Sequence, residues 1–287
     1  MRREESYADD CYMKLAFSTL GCPNWGLNQI AGAVRRFGYD GVELRALGGD
    51  LDLLNRPEFS PNELRKTKRW LDDNNIAICC VDTSCTFHSL DANERKGQVD
   101  LALRHSELAA ALNANLIRVF PDKIQEGSNR EETRDHIAES LRQIAERMPE
   151  QVRVGLETHG DFARAEAAAE IVGLAAHKNV CLIWDVANSV AAGDEINNAA
   201  RIVKPFLAHV HLRDARPVEG SEHWLPVLAG RGKVSFAEAI EALEKYERSI
   251  SFEWEKYWHP EIEEPEIALP DFMNAVKRVM GDLRAMV

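Results

Sequence analysis

The chain is 287 residues long and 45% hydrophobic, with 35 Lys and Arg against 47 Asp and Glu for a formal net charge of −12. That length suffices for one large domain with a full core, and the acidity sets the chain against a phosphate backbone, excluding nucleic acid as a default partner. No uninterrupted apolar segment approaches membrane-spanning length, so no membrane partner is expected either.

Residues 1–12 are charged and carry no apolar stretch, which fits neither a signal peptide nor an anchor. They are expected to form a disordered extension, with one domain over 13–287. Strand-like runs then follow at 14–18, 41–45, 76–82, 115–120, 152–158, 181–185, 207–212 and 249–255. Segments of helical period separate them. The first is "NQIAGAVRRFG", and the second opens on Ser60 with Pro61 and Glu63, the pattern of a capping box. Longer helices are expected over 93–114, 130–148 and 161–177, and a shorter one over 195–206. Ser235 and Glu238 form another capping box, and a last helix covers about 270–286. The segment 213–234 reads as a long loop. Strand–helix alternation repeated eight times predicts an α/β chain closed into a single-domain (β/α)8 TIM barrel. No G-x-G-x-x-G follows the first strand, which weakens an open nucleotide-binding sheet.

The six cysteines are Cys11, Cys22, Cys79, Cys80, Cys85 and Cys181, with no Cys-x-x-Cys pair. Reduced, mostly buried thiols in a cytoplasmic protein are the expectation.

In a barrel all strands open their C-terminal ends onto one face, where chemistry sits. Strand 5 ends in "GLETH" (Glu157, His159), strand 6 in "LIWD" (Asp185), strand 7 in "HVHL" (His209, His211) and strand 8 in "FEWE" (Glu253, Glu255). Singly, each is more often a salt-bridge, capping or core residue than a ligand. Jointly, ligand types at matching ends of four successive strands favour a metal site. Clustered carboxylates would repel one another and raise their pKa values, which a divalent cation resolves. One imidazole with three carboxylates suits Mn²⁺ or Mg²⁺, with Co²⁺, Fe²⁺ and Zn²⁺ as further candidates. His209 lies deeper, where a core role is the stronger reading. Glu255 lies one inward position beyond Glu253 and is expected to meet solvent, the rim or substrate.

The stretches "FGYDGVELR" (37–45), "NLIRVF" (115–120), "GLETHG" (155–160), "IWDVANS" (183–189), "HVHLRD" (209–214), "LAGRGKVSF" (228–236) and "ISFEWE" (250–255) together resemble the xylose-isomerase-like TIM barrels, which include sugar phosphate isomerases and epimerases. The resemblance implies one divalent ion, Mn²⁺ foremost, on Glu157, Asp185, His211 and Glu253. It further implies Glu157 and Glu253 as the acid/base pair, and Glu43, Arg118 and His159 at the substrate. Two positions depart from the family's frequent pattern. Asn188 stands where many members have a His three residues after the strand-6 Asp, and Arg213 stands for a frequent Lys. An Asp-x-His element after strand 7 is also missing, since Asp214 is followed by Ala215 and Arg216. Asn188, the missing Asp-x-His element and the net charge argue against abasic-site DNA cleavage.

The expected partner is a small polyhydroxy carbonyl compound, isomerised or epimerised by proton transfer through a metal-stabilised enediolate. An inosose-dehydratase-like lyase and a non-catalytic metal- or sugar-binding barrel are the alternatives. Trp25, His88 and the segment 222–234, with Trp224 and Arg231, are candidates for specificity. Members of the family that the chain resembles are often dimers or tetramers, which leaves a homo-oligomer open as a partner state.

Overall fold

The computed structural model describes residues 13–221, 223–244 and 246–285. The expected disordered extension, 1–12, lies outside the described residues. In chain order the strands are β1 (Lys14–Ser18), β2 (Gly41–Leu44), β3 (Ala77–Thr86), β4 (Leu116–Phe120), β5 (Arg153–Glu157), β6 (Val180–Asp185), β7 (Leu207–Leu212), β8 (Asp214–Pro217), β9 (Trp224–Val227) and β10 (Ser249–Phe252). Eight of them close a parallel barrel in the order β1-β10-β7-β6-β5-β4-β3-β2, while β8 and β9 pair only with each other. The helices are α1 (Leu27–Phe37), α2 (Leu64–Asp73), α3 (Ala92–Ala111), α4 (Arg130–Arg147), α5 (Ala165–Ala175), α6 (Val186–Ala191), α7 (Ile196–Val203), α8 (Phe236–Ala242) and α9 (Pro265–Ala285). No helix among the described residues is long and apolar enough to cross a membrane.

Period two along each strand divides the interior. On β6, Leu182 and Trp184 join the large core between barrel and helices. Cys181 and Ile183 join a separate cluster with Cys80, Leu116 and Ala208. This second cluster is the floor of the barrel. In the outer core Trp184 Nε1 donates to Ser189 Oγ at 3.1 Å.

Several boundaries differ from expectation. Ser235 caps α8 as foreseen, its Oγ accepting from the Glu238 backbone N–H at 3.3 Å. Ser60 does not cap α2: its hydroxyl donates to the Pro57 carbonyl at 2.8 Å, and the helix starts only at Leu64. A 3-10 turn over Pro57–Phe59 offers that carbonyl, a competitor the local pattern does not reveal. The eighth barrel strand ends at Phe252 rather than 255, and β3 runs on to Thr86, taking in Cys85. The segment 213–234 is not plain loop, since it carries the β8–β9 hairpin. The last helix begins five residues earlier than about 270, with Pro270 inside it.

Candidate metal centre

Glu157 and Asp185 are the last residues of β5 and β6, and Glu253 follows β10 directly. Strand register brings them to one level. Asp185 lies opposite His211, and His211 lies opposite Ser251, two residues before Glu253. Ligand-type atoms of Glu157, Asp185, His211 and Glu253 all fall within 4.8 Å of one another. The four residues are 0–2% exposed.

His211 is oriented from behind. Its Nε2 lies 3.0 Å from Glu43 Oε2, which also meets His209 Nε2 at 2.7 Å. With Nε2–H donated to Glu43, Nδ1 is left facing the cluster, 3.2 Å from Glu253 Oε2 and 3.6 Å from Glu157 Oε2. That buried nitrogen has no hydrogen-bond partner. A buried polar atom without a partner is costly, and a cation in the cluster would satisfy it.

Two guanidiniums brace the carboxylates. Arg118 Nη1 donates to Glu157 Oε2 at 2.8 Å and Glu253 Oε1 at 3.1 Å. Arg213 Nη2 donates to Asp185 Oδ2 at 3.2 Å, Asn188 Oδ1 at 3.0 Å and Glu255 Oε1 at 3.2 Å. These cations do not neutralise the site. Burial and the neighbouring Glu253 push Glu157 up to about 8, against the pull of Arg118 and His211. Burial pushes Asp185 up to about 6, with Arg213 opposing. Burial also disfavours the charge on Glu253, but His211 and Arg118 outweigh it and bring that carboxyl down to about 2. Burial lowers His211, yet Glu253 and Glu43 hold its pKa well above the ordinary imidazole value. The donor set and its excess of negative charge fit a divalent cation bound by Glu157, Asp185, His211 and Glu253.

A profile of the xylose isomerase-like TIM barrel family matches residues 31–275. The chain belongs to that family. Among solved structures it is similar to the probable 3-DHS dehydratase AsbF of Bacillus anthracis, at 17% identity over 92% of this chain and 99% of that one, with a TM-score of 0.75. It is similar to the IolI protein solved with a zinc atom, at 18% identity over 94% and 97%, TM-score 0.72. It is also similar to D-psicose 3-epimerase of Clostridium cellulolyticum H10, solved with D-tagatose, at 18% identity over 95% and 99%, TM-score 0.72. At these identities the likeness establishes the fold. No curated protein sequence matches the chain.

In this family member the other expected site residues divide into two tiers. Glu43, expected at the substrate, has its Oε2 taken by two imidazoles and is fully buried. His209, at 1% exposure, is its buried partner. Arg118 sits among the carboxylates rather than beside them, with its guanidinium also over the Phe120 ring at 4.1 Å from the centroid. Above these, Glu255, Asn188, His159, His88 and Trp25 are half-buried. His159 packs on Phe120, and His88 Nδ1 lies 3.8 Å from Asp122 Oδ2. Trp25 and Trp224 both pack against the outer core, and Arg231 is exposed.

Asn188 owes its place to α6, which the sequence reading did not foresee. Asp185 caps that helix, its Oδ1 accepting from the Asn188 N–H at 2.7 Å, and the Asn188 amide donates to the Thr158 carbonyl at 3.1 Å. The turn at 230–232 is held by Asp214, whose carboxylate accepts from the Gly232 and Val234 N–H groups at 2.7 and 3.0 Å. A Cβ on Gly232 would stand 2.2 Å from Asp214 Oδ1, so only glycine permits this approach. Gly160, at φ +57, likewise brings the turn after β5 against the Asp122 carbonyl.

Two residues of the same layer were missed. Asp82 is fully buried on β3, with neither oxygen hydrogen-bonded and Arg118 Nη2 3.8 Å away. Burial and Glu43 drive its pKa well above the ordinary value, despite Arg118. Arg45, just past β2, is 3% exposed. The signal for Asp82 was present: it closes the expected run 76–82 and shares inward parity with Cys80, as Asp185 does with Ile183.

Proposed function

We propose that this chain is a divalent-metal-dependent isomerase or epimerase acting on a small polyhydroxy carbonyl compound. The observation that carries the reading is the convergence of Glu157, Asp185, His211 and Glu253 at one end of the barrel, with an unpartnered imidazole nitrogen aimed among three carboxylates. Mn²⁺ is the preferred ion, with Mg²⁺, Co²⁺, Fe²⁺ and Zn²⁺ as alternatives. Such an ion would supply Lewis acidity to neighbouring carbonyl and hydroxyl oxygens of the substrate.

The remaining work falls to side chains. Glu157 and Glu253 approach from β5 and β10, and Arg118 ties one oxygen of each. One carboxylate takes the proton from the carbon beside the carbonyl, and the C–H electron pair enters the enediolate double bond. The other carboxyl returns a proton from the opposite face, which inverts that carbon. Return to the adjacent carbon instead interchanges aldose and ketose. Asn188, Arg213 and Glu255, already linked by hydrogen bonds, offer donors and acceptors to substrate hydroxyls. The free cysteines among the described residues support a reducing compartment, the cytoplasm.

A dehydration outcome, with β-hydroxide leaving the same enediolate, is the second reading. It is supported by Asn188 in place of the family's frequent His and by likeness to a protein described as a probable dehydratase.

Elemental analysis and solvent deuterium exchange test the proposal. The metal-loaded protein should bind one ion and exchange a substrate α-proton. Glu157→Gln and Glu253→Gln should each lower exchange by about 10²–10⁴-fold. Absence of exchange across a panel of ketoses and hydroxy-keto acids would remove its basis. Exchange accompanied by loss of water would select the lyase.

A further inference from the structure

Three arginines stand at the catalytic end of the barrel, and they are not equivalent. Arg118 pairs with Glu157 and Glu253. Arg213 pairs with Asp185 and Glu255. Arg45 is buried as they are, yet it takes part in no ion pair among the described residues, and its hydrogen bonds go to neutral groups. Its Nη2 donates to Ser84 Oγ at 2.7 Å, and its Nη1 lies 3.5 Å from the Leu51 carbonyl, a marginal contact.

The position of this cation is fixed. The Arg45 and Ala46 N–H groups both donate to Thr19 Oγ1, at 2.8 and 3.0 Å, which anchors the end of β2 to the turn after β1. Gly48 and Gly49 donate to the Trp25 and Pro23 carbonyls at 3.0 and 2.8 Å, so the loop that follows is held as well. Ser84, the partner of the guanidinium, is exposed on β3. Arg45 is therefore buried along its length, and its guanidinium ends against a residue that is open to solvent. Burial and the nearby Arg118 lower its pKa to about 10, with Asp82, Glu253 and Glu157 only partly offsetting them. A buried guanidinium without a counter-ion is costly unless something anionic visits it.

We infer that Arg45, with Ser84, binds a carboxylate at the end of the substrate away from the reacting carbonyl, so that the substrate is a keto acid rather than a neutral ketose. This rests on the isomerase reading and narrows its substrate class. The chemistry favours carboxylate over phosphate. A carboxylate carries one charge and matches the guanidinium fork with two oxygens. A phosphate monoester brings nearly two charges and a third oxygen into a site already dense in carboxylates, with one guanidinium and one hydroxyl to receive it.

Three probes identical at the ketone and different at the far carbon separate the cases: D-fructose, its 6-phosphate, and D-fructuronate. Their dissociation constants are measured by calorimetry on the Mn²⁺-loaded protein, where binding is read without turnover. Fructuronate should bind about 10–100-fold more tightly than fructose, as expected for one charge-assisted contact. Arg45→Gln, checked for unchanged metal stoichiometry, should abolish that preference, and Arg45→Lys should keep part of it. Equal affinity for fructose and fructuronate in the unaltered protein overturns the inference. So does a preference that survives Arg45→Gln, or tighter binding of the phosphate. Proton exchange is followed separately. If no probe exchanges while fructuronate selectivity holds and depends on Arg45, the isomerase reading fails and the carboxylate site stands.

Discussion

The floor of the barrel and the layer above it are built by the same strands, two residues apart. On β3 Cys80 gives way to Asp82, on β4 Leu116 to Arg118, and on β6 Ile183 to Asp185. Both layers are buried to within a few per cent, so burial alone does not distinguish them. The lower layer gains from removing apolar surface from water. The upper layer sets ionic attraction against the desolvation of many charges, and the result leaves Glu157 and Asp185 well above ordinary carboxylate values. One half of the barrel interior thus stabilises the fold, and the other half draws on that stability to hold a reactive arrangement.

The contrast can be broken from either side. Arg118→Met removes the guanidinium shared by Glu157 and Glu253. The metal-free protein should lose about 3–5 kcal/mol in denaturant unfolding, and bound metal should restore part of it. Ile183→Ala opens a cavity in the floor instead. It should cost about 2–4 kcal/mol, and metal stoichiometry should stay at one, because the site lies a layer above. If Ile183→Ala also lost the ion, the two layers would not be separable.

A pH series sharpens the comparison. Glu157 and Asp185 bind protons more tightly folded than unfolded, and so does His211. Proton binding by the folded state adds stability at low pH that is lost as pH rises through the folded values. The metal-free protein should therefore lose stability from about pH 4, the ordinary carboxylate range, up to about pH 8. Metal binding must displace those protons, so affinity should rise over the same interval, by up to about tenfold per pH unit for each proton released. Opposite slopes for the metal-free melting temperature and the metal affinity are the expected pair. Parallel slopes would mean that the cluster does not bind the ion.

Much of the site was legible because period two and strand ends are local properties. Glu157, Asp185, His211 and Glu253 were found by parity and position, and the structure brings those four together. What was not legible depended on partners distant in sequence. Glu43 looks like a substrate residue until β7 sets two imidazoles against it, 166 and 168 positions away. Ser60 looks like a helix cap until the Pro57 carbonyl competes for its hydroxyl.

The sequence by itself determined the eight-fold alternation, the inward parity of each strand and the residue types at its end, because backbone geometry converts spacing into direction without reference to the rest of the chain. Only the tertiary structure decided which charges compensate one another. Arg118 and Arg213 find carboxylates and Arg45 does not, because that outcome depends on inter-strand register and loop closure, and Coulomb energies depend on distances that no local pattern sets.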